Sequence, residues 1–466
     1  MDLSVLFIAL PWITADLAPT GTQELWIMDI YGFVLAGLLV TMGSIGDRIG
    51  RRRLLMIGAL LFGVASLVSA LSTTPEMLIT GRVILGVGGA ALLPSVLAMI
   101  RVMFTDEDQR RTAIGPIIGG LLLEHFHWGS VFLINIPIMA VLLIAAPMLL
   151  RESRDPNPGL LDPVSVLLPL PAVVSVILGI KELVKSIGEG SAVNPVHIIS
   201  IIIGVLFGAW FIRRQLATST PLLDVRLFGR TPFTASIVAN MTVVFAVGGM
   251  GLLAVQFLQT VLGYGPFTAA LWMLPTVAGT LVGVTAVSVL AKTLRPAFLV
   301  AAGLLFVAAG FLTTGTIDSD SSVLMLISAY TVMTVGVGIT TTLGASLVMS
   351  TAPEEKAGAV SSIYETAGEF GGALGIAVLG TISGAVYADR MGGSSDTIGA
   401  AVAEAERMPD ATAAPLLDAA FDAFAPGFSL AATVGGILAA AVAVVAAFTL
   451  RKLPVSAERP EETDDI

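Results

Sequence analysis

Two apolar runs, Trp26 to Met42 and Leu54 to Leu71, set the frame for the whole chain. Between them lies Gly43-Ser-Ile-Gly-Asp47-Arg48-Ile-Gly50-Arg51-Arg52-Arg53, with four arginines and three glycines. Each run is roughly 17–18 residues, near the ~20 that a helix needs to cross a bilayer. A short, basic, glycine-rich segment between two such runs is a hairpin turn at a membrane face. Its arginines mark the cytoplasmic side.

Composition extends this to the rest of the chain. Of 466 residues, 55% are hydrophobic and only 12% charged, about half the charge of a soluble domain. A soluble fold cannot hide that much apolar surface. Long uncharged runs also exclude an outer-membrane barrel, whose strands alternate over about ten residues. The fold class is therefore an all-α polytopic membrane protein. Cysteine is absent and the three histidines (His125, His127, His197) form no ligand set, so no disulfide framework and no metal are expected. No P-loop pattern appears, so ATP is not the expected driver and no cofactor is expected. The net charge of −10 gives no nucleic-acid footprint. Met1-Asp2 leads into apolar sequence without a basic n-region, so no cleavable signal peptide is expected.

Apolar runs fall at 3–18, 25–42, 54–71, 78–100, 112–123, 130–150, 163–180, 196–212, 233–255, 267–290, 296–315, 322–348, 357–386 and 427–450. With 43–53 inside, alternate loops are inside too: 101–111, 151–162, 213–231, 292–295, 351–356 and the tail from Arg451. All but five of the 24 Lys and Arg sit in these segments, the exceptions being Arg82, Lys181, Lys185, Arg390 and Arg407. That skew supports an even count of fourteen spans. Run 112–123 is only about 18 Å long as a helix against a ~30 Å core, yet parity requires it to cross. The first run is also short, so helices 1 and 5 are read as truncated. The segment Tyr387 to Pro426, rich in Ala, Asp and Glu with Pro409 and Pro415, is expected to be an amphipathic extracellular loop.

Charged residues inside apolar runs are functional candidates by default. Asp29 lies five residues into its run; it is either such a site or an acid snorkelling beside Trp26. Glu365 and Glu369 stand four apart on one helix face. Two carboxylates in a low dielectric cannot both ionise easily, which suits a proton carrier; the bland reading is a wet cavity that solvates both. Asp2 is a third acid of this kind, at the chain start. Arg82 is the only basic residue deep in the N-terminal half. It either relays protons to a carboxylate or acts as a structural hydrogen-bonder, since arginine holds its charge. Asn135, Asn240, Gln256 and Gln259 read as interhelix glue. Of the aromatics, Tyr31, Tyr364 and Phe370 lie near the acids and could stack on a flat cation.

The arginine turn, G-x-x-x-D-R-x-G-R-R-R, resembles the signature loop between helices 2 and 3 of the major facilitator superfamily. Gly81-Arg82-Val-Ile-Leu-Gly86-Val-Gly88 is similar to its helix 4 motif. Gly115-Pro116-Ile-Ile-Gly119-Gly120 resembles the end of the helix 5 antiporter motif. Two extra helices mid-chain resemble the 14-helix drug:proton antiporters. Gly21-Thr-Gln-Glu-Leu-Trp26-Ile-Met-Asp29-Ile-Tyr31, Asp224-Val-Arg-Leu-Phe228 and Glu365-x-x-x-Glu369-x-Gly371 resemble quaternary-ammonium and dye exporters of the QacA/SmvA/LfrA type. The chain departs from the pattern in three places. Asp2 lacks the half helix that precedes it in the family. Some fourteen residues before Gly115 are missing. Thr280 stands where some relatives carry an acid.

The resemblance implies two six-helix bundles, 1–150 and 233–450. A linker with inserted helices 7 and 8 (151–232) joins them, the extracellular loop lies at 387–426, and a cytoplasmic tail at 451–466 follows. It implies export of lipophilic, cationic drugs or dyes in exchange for protons, by a monomer in the bacterial inner membrane. Asp29, Glu365, Glu369 and Asp2 would couple protons to the substrate. Gly43, Asp47, Arg48, Gly50, Arg51 and Arg52 would gate the cytoplasmic face, with Asp47 as the hinge residue. The other readings are an exporter of a neutral or anionic secondary metabolite, and a deletion variant with impaired transport. No nucleophile–base pair is visible, so an enzyme is not expected.

Overall fold

The computed structural model describes residues 2–103, 122–149 except 124, 152, 162–188, 194–218, 221–319 except 222 and 224, 321–350, and 357–451 except 393, 394, 396 and 406. The Gly115-Pro116 and Gly119-Gly120 motif lies outside the described residues, as do the side chains of Asp2 and Asp47. Among the described residues the regular structure is helical, with no strand.

The first half contains α1 (Asp2–Leu17), α2 (Gly21–Ile49), α3 (Arg51–Ala70), α4 (Pro75–Met103), α5 (Ser130–Leu133) and α6 (Asn135–Leu149). The middle contains α7 (Pro163–Leu167), α8 (Pro169–Gly188) and α9 (Pro195–Ala217). The second half contains α10 (Thr231–Gln256), α11 (Pro266–Trp272), α12 (Leu274–Leu290), α13 (Pro296–Thr314), α14 (Val323–Met349), α15 (Ala357–Met391), α16 (Ile398–Ala405) and α17 (Asp410–Thr449). Every expected run other than 112–123 coincides with one of these helices or a broken pair of them. Ten helices among the described residues are long and apolar enough to cross a membrane.

Two differences from the sequence reading have clear causes. The segment 43–53 is not a loop: α2 continues to Ile49 and α3 starts at Arg51, so the reversal is confined to Gly50, at φ 105° and ψ 132°. The residues from Gly43 to Ile49 keep their helical hydrogen bonds because nothing before Gly50 forces a left-handed backbone. The order in the segment 387–426, expected as an amphipathic or partly ordered loop, is mostly helical among the described residues. Its alanines carry the highest helix propensity, so α17 starts at Asp410 and runs through Pro415 and Pro426.

Apolar side chains face both inward and outward, as they must when lipid replaces water outside. One core cluster holds Phe257, Phe311, Phe428 and their neighbours in the second half. A second holds Leu6, Phe7, Ile13, Phe62 and Phe132 in the first. By contrast only 6% of the α9 window is buried, so α9 is apolar all round and lies at the periphery. Helices α10 and α15 approach closely because small residues meet there: a Cβ added at Gly248 would stand 2.5 Å from the Gly372 carbonyl oxygen. The halves meet along α2 and α15, with α8 packed over that seam. Ile177 of α8 shares a cluster with Phe33, Ala373 and Ala377, flanked by Trp26 and Phe370.

Candidate functional site

The α2–α15 seam carries most of the predicted acids, and its register fixes their depth. A Cβ at Gly32 would lie 3.1 Å from the Ala373 Cβ, and one at Gly380 would lie 2.9 Å from Leu25 Cδ2. The helices therefore run antiparallel, with Gly32 level with Ala373 and Leu25 level with Gly380. At 1.5 Å per residue, Asp29 lies about 4.5 Å beyond the Gly32 level, away from the arginine turn. Glu369 and Glu365 lie about 6 and 12 Å on the other side of it. The predicted acids are thus staggered along the seam rather than gathered at one level. Asp29 is fully buried, whereas Glu365 and Glu369 are half-buried on one face of α15.

Arg82 reaches the α2 turn that carries Asp29. From α4, its Nε donates to the Ile27 carbonyl at 2.9 Å and its Nη2 to the Met28 carbonyl at 3.3 Å. Its guanidinium carbon stands 4.9 Å from the Tyr31 ring centroid. All these partners lie on the α2 turn that carries Asp29, so a fully buried cation braces the turn that holds a fully buried acid. The close approach of α4 depends on Gly86 and Gly89, whose absent side chains leave room for Val34, Leu35 and Tyr31.

The three predicted substrate-lining aromatics are each packed in place. The Tyr31 ring carries Arg82. Tyr364 donates its hydroxyl to the Thr341 carbonyl at 2.9 Å and packs with Phe233 and Ile363. Phe370 packs at the α2–α8–α15 seam. The glue reading fits three of the four amides: Asn240 Nδ2 donates to the Tyr364 carbonyl at 3.0 Å, Asn135 Nδ2 to Ser66 Oγ at 3.3 Å and Gln256 Nε2 to Glu24 at 3.0 Å, whereas neither side-chain polar atom of buried Gln259 has a hydrogen-bond partner among the described residues.

Sequence reasoning missed a carboxylate at the far end of the seam. Thr20 and Gln23 form a capping box that starts α2 at Gly21. This brings Glu24 inside the helix and leaves it only 6% exposed. Gln256 Nε2 of α10 donates to Glu24 Oε1 at 3.0 Å, across the two halves. Thr14 Oγ1 of α1 donates to Oε2 at 3.4 Å. The signal lies in the sequence: Glu24 stands directly beside the apolar run that begins at Leu25.

At the opposite end, Glu152 docks on the Gly50 turn. Its Oε1 accepts from the Arg52 backbone N–H at 3.1 Å, and Oε2 lies 3.7 and 3.8 Å from Arg52 and Arg53 Nε. It caps the N-terminus of α3, where anions are favoured. Arg214 of α9 forms a two-pronged ion pair with Asp162, which also accepts from Val164 N–H and Ser165 Oγ. The Arg214 guanidinium beside it, with these donors, holds the Asp162 carboxyl well below the usual carboxylate range. Among the described residues no cluster of His, Cys, Asp and Glu could hold a metal.

Residues 1–376 match the family model described as Major Facilitator Superfamily. The chain is 40% identical to the multidrug efflux pump LfrA of Mycolicibacterium smegmatis, over 97% of this chain and 94% of the relative. It is 34% identical to the methyl viologen resistance protein SmvA of Salmonella typhimurium, over 97% and 95%. It is 30% identical to the tetracenomycin C resistance and export protein of Streptomyces glaucescens, over 99% and 91%. Among solved structures, a POT family transporter bound to a thioalcohol-conjugated peptide matches with TM-score 0.60 at 16% identity, over 95% of this chain and 94% of that one. A bacterial homologue of the lysosomal transporter Spinster matches with TM-score 0.57 at 16% identity, over 97% and 96%. These last two likenesses concern the fold alone.

Proposed function

Because the chain belongs to the Major Facilitator Superfamily and is a multi-pass drug exporter of the bacterial inner membrane, we propose that it expels lipophilic cations in exchange for protons. The observation that carries this reading is the staggered set of acids along the α2–α15 seam. Asp29 on one half and Glu365 and Glu369 on the other offer negative charge at successive depths between the halves. Such acids attract a cation and can release it when they take up a proton. Methyl viologen, after which the Salmonella relative is named, carries two positive charges, which supports a cationic substrate.

In this reading the two halves, 1–150 and 233–450, rock about the seam by alternating access. The inserted helices of 151–232 lie against that seam, α8 directly and α9 behind it. Asp2 joins the coupling acids, Arg82 braces Asp29, and the Gly43–Arg52 segment gates the cytoplasmic face. The Gly115-Pro116 and Gly119-Gly120 motif seals against proton leak. The working unit is a monomer.

The test is ethidium efflux from loaded vesicles under an imposed proton gradient. We expect Asp29→Asn, Glu365→Gln and Glu369→Gln each to lower efflux at least about tenfold, the scale on which positioned proton-transfer groups act. Unchanged efflux in all three removes these acids from the mechanism. A second reading, export of a neutral secondary metabolite, is favoured by the name of the Streptomyces relative. Competition of ethidium efflux by a neutral polyketide but not by other cations would favour it.

A further inference from the structure

A cavity of about 160 Å³ lies between the halves at the end of the seam opposite the arginine turn. It is bounded by α2, α10, α15, α17 and the inserted α8, so both halves and the insertion contribute. The walls are mostly apolar: Leu25, Leu253 and Phe424 are typical. Into this surface projects Glu24, at 6% exposure, with Glu182 of α8 as a second lining carboxylate. Among the described residues no Lys, Arg or His lines the cavity.

The chemistry of Glu24 is what points to a ligand. A carboxylate offers about four acceptor positions. Among the described residues its hydrogen bonds come from neutral groups: Gln256 at 3.0 Å and Thr14 at 3.4 Å. A buried carboxylate without a cationic partner is costly unless a cation or proton arrives to neutralise it. The surrounding groups favour an organic cation over a hydrated metal ion, since only two of the lining oxygen-bearing side chains, Glu24 and Glu182, are carboxylates and most of the surface is apolar. Two aromatic rings, Tyr387 and Phe424, line the same space, and aromatic faces attract quaternary ammonium groups. Tyr387 is fixed for this role, buried and donating its hydroxyl to the Thr397 carbonyl at 3.3 Å. The cavity is smaller than the roughly 300–1,000 Å³ of drug-sized pockets, so it suits a compact cation.

We propose that this cavity is a second cation site, at the exit end of the path, which holds one compact quaternary ammonium group against Glu24. It rests on the cation-exporter reading above and adds to it a site in which Asp29, Glu365 and Glu369 take no part. A cation leaving the deeper acids would be held there until the Gln256–Glu24 bond opens and the halves part.

The chain has no cysteine, so a single reporter is clean. Thr22 lines the cavity on the first turn of α2 and is partly exposed. In purified Thr22→Cys protein in nanodiscs, N-ethylmaleimide labelling is timed with benzyltrimethylammonium and with its neutral isostere neopentylbenzene. A ligand seated in such a pocket buries about 70–90% of its surface, so saturating cation should slow labelling about tenfold while the isostere leaves it unchanged. This comparison requires no change at Glu24. Adding Glu24→Gln, which keeps size and removes charge, should abolish the protection. No protection by the cation, equal protection by the isostere, or protection that survives Glu24→Gln overturns the proposal. Ethidium efflux by the wild-type chain is measured alongside. Efflux without protection overturns the second site and leaves the exporter reading standing, whereas absent efflux overturns the exporter reading itself.

Discussion

Gly50 is the sharpest place to test how the arginine turn is built. Its φ of 105° lies where side-chain-bearing residues are strained, and holding alanine there costs about 1–3 kcal/mol. A second cost follows from Glu152, whose carboxylate occupies the space that a Cβ would need. Alanine at 50 must therefore push Glu152 away and break its bond to the Arg52 N–H. That bond is a helix N-terminal cap, worth about 0.5–2 kcal/mol. The accompanying ion pairs are long, at 3.7 and 3.8 Å, and the arginines are 32% and 67% exposed, so they add at most about 1 kcal/mol. Gly50→Ala should thus cost about 2–4 kcal/mol in total, and Glu152→Ala alone about 1–2 kcal/mol. If alanine has already expelled Glu152, removing that side chain adds nothing further. The double variant should then match Gly50→Ala, with a coupling equal in size to the Glu152→Ala cost, about 1–2 kcal/mol, between two contacting sites. The assay is thermal unfolding of the four proteins in one detergent. A Gly50→Ala cost below about 0.5 kcal/mol, the level of an ordinary surface change, refutes the strained turn. Additive costs refute the seating of Glu152 over Gly50.

Two further outcomes follow from packing and charge. Gly248→Ala forces a methyl to within 2.5 Å of the Gly372 carbonyl oxygen; the helices must separate, and the loss should be about 1–3 kcal/mol in the same unfolding assay. Asp162 has its pKa depressed by Arg214, so its contribution is present above the unfolded value near 3.9 and is lost as pH falls below about 4. Protease cutting between α9 and α10 should therefore rise as pH drops from 5 to about 3 in the wild type. In Asp162→Asn it should be high throughout and nearly independent of pH.

How much of this was legible in the sequence depended on how strong a local signal each feature had. The apolar runs were legible because a bilayer demands about twenty apolar residues whatever their neighbours do. The bracing of the turn that carries Asp29 was half legible: Arg82 stood out as a lone charge in an apolar run, but only the fold shows that it holds the α2 turn from Ile27 to Tyr31. The helical course of 410–426 was hidden because Pro415 and the acids read as loop signals, while the alanines between them set the helix. Glu152 was hidden for a different reason. A carboxylate in a basic loop looks like a solvated charge, and its pairing with residues 52 and 53 spans a hundred positions.

Glu24 shows what register adds to pattern. By sequence it is a first-turn acid, the commonest charge at a helix N-terminus. By depth it lies about 12 Å from the Gly32–Ala373 level, on the side opposite Glu365, which lies about 12 Å the other way. Four carboxylates, Glu24, Asp29, Glu369 and Glu365, thereby divide roughly 24 Å of a ~30 Å hydrocarbon core into steps of about 6–11 Å. Each step is about the size of a compact organic cation or of a short water chain. A substrate moving along the seam would meet the next acid before it had wholly left the last, so no stretch of the path would force a bare charge through apolar wall. That spacing is set by two helices of opposite direction, one starting at a Thr20–Gln23 cap and the other running inward to outward. It is therefore a property of the fold that neither helix carries alone.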